Sequence, residues 1–396
     1  MRSFIAIKAF HVKHQITQSG ISGGPTSAFD YPDAGLRICL QEEICLNHRW
    51  TEILVAPSLT PQAALIAREN SPSPMPKIVL HLKASDLPRR LSGRHLEFYR
   101  ILGDLMAGQN IRAESRQRDG DIRIDTRTIG DSRFDDGNLH IIDDRSLNAP
   151  NVLNAGAAYF WRFWQLDPQG VKAFSSTGAA HYGPEQMPRR RAQSFFDNMH
   201  KRYVQSRKSK YAQPETQQQF PDNAISVFFQ GDYPVTSGAT STTDIEMLRA
   251  VQAGAGDRPI IVKPHPLASN FSDIAETLAL AETDSRITVT DANIHDILST
   301  SCVTVSINST VALEGFLHLK PAILFGQSDF HHLAGRVHAP KEFETVLARE
   351  LDRDEGYEQF LAWYFLKMCL PLNNARLEER IWKIFSKAGF PRSRFR

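Results

Sequence analysis

From Ala224 to Phe325 the chain alternates short apolar runs with helix-like segments, at a spacing that few folds accept. Ala224–Gln230 (AISVFFQ), Arg258–Lys263 (RPIIVK), Arg286–Thr290, Cys302–Ile307 (CVTVSI) and Pro321–Phe325 read as strands, most of them apolar on both faces. Between them, Asp244–Ala253, Asp273–Ala281, Asn293–Ser299 and Thr310–Leu319 read as helices. Near-continuous apolar strands separated by helices predict a parallel, doubly wound sheet covered on both faces. Ligands of such sheets bind at the carboxyl ends of the strands, where loops lead into helices. The residues at those ends are therefore the ones to inspect.

The rest of the chain is less regular. Glu52–Pro57 (EILVAP) and Lys77–Leu82 (KIVLHL) read as buried strands, and Arg94–Met106 carries helical spacing. Asp121–Asp143 alternates around a turn at Gly137 and predicts a β-hairpin. Arg189–Tyr211 reads as a long polar helix. Tyr211–Asn223 (YAQPETQQQFPDN) has two prolines and no apolar period, which marks a linker. At 396 residues two domains are expected. The predicted division is 1–212, 213–345 and a C-terminal helical segment 346–396, with Tyr357–Cys369 and Ala375–Ala388 packing back onto the first domain.

Charge and cysteine usage narrow the function classes. The 46 basic and 44 acidic side chains nearly cancel, which argues against a nucleic-acid binder held by backbone phosphates. Basic residues cluster from Arg189 to Lys210 and from Lys387 to Arg396. These clusters suit either a solvated helix face and a frayed tail, or contact with an anionic membrane surface or glycan. Cys39, Cys45, Cys302 and Cys369 are scattered without metal-ligand spacing, a reducing-compartment pattern. No apolar run approaches the roughly 18 residues needed to cross a bilayer, and MRSFIAIKAFHVKHQ lacks a signal-peptide core. The expectation is a cytoplasmic protein whose membrane contact, if any, is peripheral at the inner membrane.

Four strand ends carry polar groups. AISVFFQ leads to Gly231, Asp232 and Tyr233; PIIVK leads to His265; CVTVSI leads to Asn308, Ser309, Thr310 and then Glu314; AILF leads to Gly326. Asn308-Ser309-Thr310 suits an N-cap, and the same helix end suits a phosphate. Glu314 is either a solvent-facing helix residue or a carboxylate for ribose hydroxyls. Two prolines flank His265 and fix its imidazole, as a structural residue or as the group that meets a phosphate or leaving group. Lys263 beside it adds a point charge. Asp232 is either a cap or a carboxylate facing the crevice between domains. The literal Asp119-Gly120-Asp121 lies in a polar hairpin without the surroundings of a metal site. Phe160–Gly170 (FWRFWQLDPQG) is either aromatic core with a turn or a wall of a sugar pocket, with Asp167 meeting acceptor hydroxyls. Glu215 is either a linker residue or a general base.

VKPHP followed by SINSTVALEGFLHLKPAILFG resembles the bacterial capsule polysaccharide synthesis transferases, which move 3-deoxy-manno-octulosonic acid (Kdo) from CMP-Kdo. QGDYPV and SKYAQPE fit the same pattern, and FWQLDPQG looks like a segment of the retaining β-Kdo transferases. The resemblance is clearest over about 205–335, roughly a third of the chain. Some relatives carry Glu-Glu-Gly in the first half, where this chain has Asp135-Asp136-Gly137, so no catalytic role carries over there.

The resemblance implies a GT-B-like α/β architecture, with two Rossmann-like domains facing a crevice. CMP-Kdo would sit on the C-terminal domain and a glycan or glycolipid acceptor on the N-terminal one. His265 and Lys263 would meet the CMP phosphate or Kdo carboxylate. Ser306, Asn308, Ser309 and Thr310 would cradle the phosphate, and Glu314 would hold the ribose. Asp232 would be the nucleophile of a two-displacement, retaining mechanism, since CMP-Kdo is β-configured and the product β-linked. No cofactor or metal is expected, because a His donor suffices for a CMP leaving group. Another nucleotide sugar, such as CMP-sialic acid or a UDP-sugar, or a non-catalytic glycan-binding role, remains the alternative.

Overall fold

The computed structural model describes residues 75–130, 132–353 and 356–396; the expected strand Glu52–Pro57, Cys39 and Cys45 lie outside them. Among the described residues, two six-stranded sheets organise the fold. The first contains β1 (Ile78–Leu82), β2 (Ala113–Gln117), β3 (Leu139–Asp143), β4 (Val152–Ala157), β5 (Phe163–Asp167) and β12 (Leu370–Pro371). Their order is β12-β5-β4-β3-β1-β2, parallel from β4 to β2 and antiparallel at β5 and β12.

The second sheet contains β6 (Ala224–Phe228), β7 (Ile260–Lys263), β8 (Ile287–Val289), β9 (Ser301–Ser306), β10 (Ala322–Leu324) and β11 (Gly335–Arg336), in the order β11-β10-β9-β6-β7-β8. Every pairing in it is parallel. All six carboxyl ends therefore lie on one edge, as the apolar, two-faced strands predicted. The architecture is GT-B-like: two α/β units, each with its parallel strand ends on the crevice side.

Helices α1 (Glu97–Ala107), α2 (Arg189–His200), α3 (Asp244–Gly254), α4 (Phe271–Thr283), α5 (Ile294–Thr300), α6 (Val311–Leu317), α7 (Phe343–Leu351), α8 (Tyr357–Ala362) and α9 (Leu377–Lys387) cover the sheets. Thr243 starts α3 with a reciprocal capping box to Glu246. The C-terminal segment does pack back. Leu377, Ile381 and Phe385 of α9 join Ile78, Leu80 and Ile141 in the core of the first sheet. A second core spans both units, where Phe160 and Phe163 are joined to Phe316 through Phe365, Tyr364 and Phe360. Each such ring contributes about 1.5–3 kcal/mol on burial.

Asp121–Asp143 is not a hairpin. Leu139–Asp143 is the fully buried β3, parallel to β1 on one side and β4 on the other. Residues 121–130 hold no strand beyond a single bridge, Thr128 to Asn148. Their alternation is outweighed because both edges of β3 are occupied by more apolar partners. The polar residues are drawn into local bonds: Arg133 pairs with Asp119 and Asp121, and Thr126 Oγ1 donates to the Asp121 carbonyl at 3.0 Å. The expected long helix is also shorter: α2 continues as one wide turn over Lys201–Gln205, and 206–223 is irregular. Among the described residues no helix is long and apolar enough to cross a membrane.

Candidate functional site

The carboxyl ends of both sheets border one cavity of about 350 Å³, within the usual range of small-ligand sites. The second sheet contributes the loops after β6, β7 and β9; the first contributes the loop after β3 and the segment after β5. The connecting segment adds Ser209, Lys210, Tyr211 and Gln213. The end of the expected long helix and the start of the expected linker are thus part of the wall.

Loop geometry is set by close packing. Gly231 has φ +66, and a Cβ there would lie 2.0 Å from the Ala268 carbonyl oxygen, so only glycine lets the β6 and β7 loops meet. Asp244, at the start of α3, accepts from the backbone N–H groups of Gln230 and Gly231 at 2.8 and 2.7 Å. Gln230 and Asn308 exchange two hydrogen bonds, at 2.9 and 2.8 Å, which joins the β6 and β9 ends.

Of the residues marked in the sequence, Lys263, His265, Asn308, Ser309, Thr310 and Glu314 line the cavity. Their roles separate. The Lys263 ammonium donates to the carbonyls of Asp291 and Ala292 at 2.7 and 2.6 Å, so it ties strand to loop. Asn308 spends its side chain on Gln230 and the Gln327 carbonyl. Side-chain capping comes from Ser309 alone, whose Oγ accepts from Val311 N at 3.3 Å, while Thr310 makes no side-chain cap. Ser306 lies beneath, its Oγ accepting from Ser309 N at 3.2 Å. His265 Nδ1 accepts from Leu267 N at 3.1 Å, so the neutral ring carries its proton on Nε2.

Three marked carboxylates lie elsewhere. Asp232 is exposed, outside the cavity lining, and accepts from Asn270 Nδ2 at 2.8 Å. Asp167 is buried in its own turn, accepting from Gln169 N, Gly170 N and Ser176 N. Glu215 is exposed, its carbonyl accepting from Arg207. The aromatic residues Phe160, Phe163 and Trp164 are core rather than cavity wall.

Glu314 and Lys210 occupy the same cavity in unusual states. Glu314 is 1% exposed and its Oε1 has no hydrogen-bond partner. Burial pushes its carboxyl up to about 7, against a weaker pull from Ser209 and Lys210. Burial also lowers the Lys210 ammonium to about 8. Among the described residues Lys210 makes no ion pair, and it lies 5.9 Å from the ring centroids of Trp161 and Tyr211. Asp144, after β3, faces the same space with Lys172 Nζ at 2.7 Å; that ammonium holds its carboxyl well below the usual range. Sequence reading missed Asp144, Lys172 and Lys210. The strand-end rule would have found Asp144 had β3 been read as a parallel strand.

A GT-B-like protein with a cavity between two parallel strand edges is what this fold defines. Over residues 181–338 the chain matches the model of the family described as capsule polysaccharide biosynthesis protein. No curated protein matches the chain. Solved structures similar to it include the KpsC β-Kdo 2,7 transferase of Thermosulfurimonas dismutans, at 13% identity and TM-score 0.45 over 79% of this chain and 99% of that one. The KpsC β-Kdo 2,4 transferase of the same organism matches at 15% identity and TM-score 0.41, over 73% and 89%. A UDP-GlcNAc 2-epimerase from Methanocaldococcus jannaschii matches at 13% and 0.29, over 50% and 49%.

Proposed function

We propose that the chain is a glycosyltransferase that moves Kdo from CMP-Kdo to a growing bacterial surface polysaccharide or glycolipid. The observation that carries this is one cavity that holds both the buried Glu314, whose Oε1 has no hydrogen-bond partner, and the half-buried Lys210 ammonium, which makes no ion pair among the described residues. A cation drawn partly out of water without an anionic partner is completed by a ligand anion. A carboxylate with a free oxygen accepts from a diol. A nucleotide sugar supplies both, as phosphate and ribose. The motifs from Lys263 to Gly326 support Kdo as the sugar, and the capsule-biosynthesis region supports a surface polysaccharide as acceptor.

The carboxylate for a retaining reaction is Asp144 in this reading, because Asp232 faces solvent outside the cavity. An Asp144 oxygen bonds to the anomeric carbon while that carbon's bond to the phosphate oxygen breaks, the electron pair leaving with CMP. The acceptor hydroxyl oxygen then displaces Asp144, and the hydroxyl proton passes to solvent. His265 Nε2–H donates to the leaving phosphate.

Thermal unfolding with CMP, UDP and GDP, each with and without EDTA, tests the donor. CMP raises Tm most, with EDTA present, since a ligand that binds only the native state stabilises it by mass action. Stabilisation by UDP or GDP alone, or its loss with EDTA, overturns the CMP-Kdo assignment.

A further inference from the structure

A second hollow, of about 910 Å³, lies on the other side of the segment after β5. Ala173 and Phe174 border the donor cavity, whereas Ser176 and Thr177 border this groove. Its walls are the start of α2, the wide turn Trp363–Met368 and the outer face of α9. At Pro188, Arg191 and Leu366 it runs on into an adjoining hollow that adds Arg190. The two hollows form one continuous groove.

Charge is concentrated there. Six cationic side chains line the groove, Arg191, Lys367, Arg376, Arg380, Lys383 and Lys387, against two carboxylates, Asp167 and Glu379. The whole chain carries only +2. Asp167 is consumed by its own turn, and Glu379 is paired with Arg376 at 2.6 Å. Arg380 donates to the carbonyls of Leu366, Lys367 and Cys369 at 3.0, 2.8 and 2.7 Å, which fixes the groove wall. Arg191, Lys383 and Lys387 have no ion pair or hydrogen bond among the described residues and are exposed. Leu366, Met368 and Ile384 form partly exposed apolar patches between these charges.

We infer that this groove binds a segment of an acidic polysaccharide chain. Its cations answer carboxylates spaced along a polymer, its apolar patches suit the C–H faces of sugar rings, and its continuation into the adjoining hollow gives room for more than one residue of a chain. A flat membrane does not follow the walls of a concavity, whereas a flexible chain does. No aromatic ring lines the 910 Å³ hollow, so it lacks the stacking platform of single-stranded nucleic-acid sites. The inference does not rest on the identity of the donor.

The test uses the full chain and an end-labelled oligogalacturonate, with a neutral maltodextrin as control, followed by anisotropy at low and raised salt. The acidic oligomer binds and salt weakens it; the maltodextrin does not bind. Arg191→Glu with Lys383→Glu and Lys387→Glu weakens binding by about tenfold or more. The milder Lys383→Gln with Lys387→Gln weakens it in the same direction, and CMP stabilisation is unchanged in both variants. Equal affinity of wild type and charge-reversed variant overturns the inference. So does a variant that loses binding only to phosphatidylglycerol vesicles while still holding the oligosaccharide. Failure of CMP to stabilise the wild type would sink the donor reading alone.

Discussion

Asp144 and Lys172 meet at 2.7 Å across the cavity wall, and both have left-handed backbones, with φ of +49 and +55. Few residues other than glycine take that region, and strain of this kind gathers at functional sites, where the surrounding fold over-determines it. Here it turns a carboxylate off the end of β3 into the space facing Lys210, Thr310 and Glu314. Lys172 keeps that carboxylate ionised, which a nucleophile needs and a proton donor does not.

Asp144→Asn keeps the shape and removes the charge. Transfer is expected to fall by about two orders of magnitude or more, while CMP still raises Tm. Wild type given CMP-Kdo without acceptor gains the mass of one Kdo, and peptide mapping places it on Asp144. An adduct on Asp232, or collapse of transfer in Asp232→Asn with Asp144→Asn active, returns the role to Asp232.

Lys210 gives the nucleotide site a pH dependence with a definite sign. Its ammonium is lowered to about 8, so the free protein loses this cation as pH rises through that value. Nucleotide affinity is therefore expected to fall from pH 7 to pH 9. Lys210→Met weakens CMP by about tenfold at pH 7, as loss of one charge-assisted hydrogen bond implies, and flattens that slope. Lys263 also has a low value, about 8, but its donors are spent on carbonyls. A slope that survives in Lys210→Met assigns the titration elsewhere. Calorimetric titration across pH measures it.

Gly231→Ala places a methyl group against the Ala268 carbonyl at a positive φ. The loops after β6 and β7 must part, and the second carries His265. A loss of about 1–3 kcal/mol in unfolding free energy is expected, together with weaker CMP stabilisation. A variant with wild-type denaturant midpoint and CMP response contradicts the close approach.

Asp329 links the units: Tyr159 and Tyr364 hydroxyls donate to it at 2.8 and 2.7 Å, and Gln165 donates as well. Tyr159→Phe removes one donor from a buried carboxyl and is expected to cost about 1–3 kcal/mol. Burial outweighs the three donors and raises this carboxyl from 3.8 to about 7. The folded state then binds the proton more tightly than the unfolded one. Its stabilisation is full below about 4 and is lost as pH rises through 7. Unfolding midpoints from pH 4 to pH 8 should show that decline, and Asp329→Asn should flatten it.

The second sheet was legible in the sequence because local composition alone decides it. Strands apolar on both faces have no stable place except a parallel sheet between helix layers, and all five strands anticipated from Ala224 to Phe325 are present. The loop residues at its strand ends followed, so Lys263, His265, Ser309, Thr310 and Glu314 were found together. The first sheet was harder to read. β3 resembles half of a hairpin until its neighbours β1 and β4 are known, and those pairings join residues far apart in the chain. That error hid Asp144. Lys210 was hidden for a different reason: it reads as one more cation on a long polar helix, and only the irregular path of the chain after Gln205 brings its ammonium to the cavity. Asp232 shows the converse. Its place after a strand was correctly read, but the direction of its side chain is set by the turn at Gly231 and by Asn270. Sequence determined which strand ends carry polar groups, because period and burial are local. Tertiary structure decided which of those groups share one cavity, because that depends on how two sheets and a connecting segment close on each other.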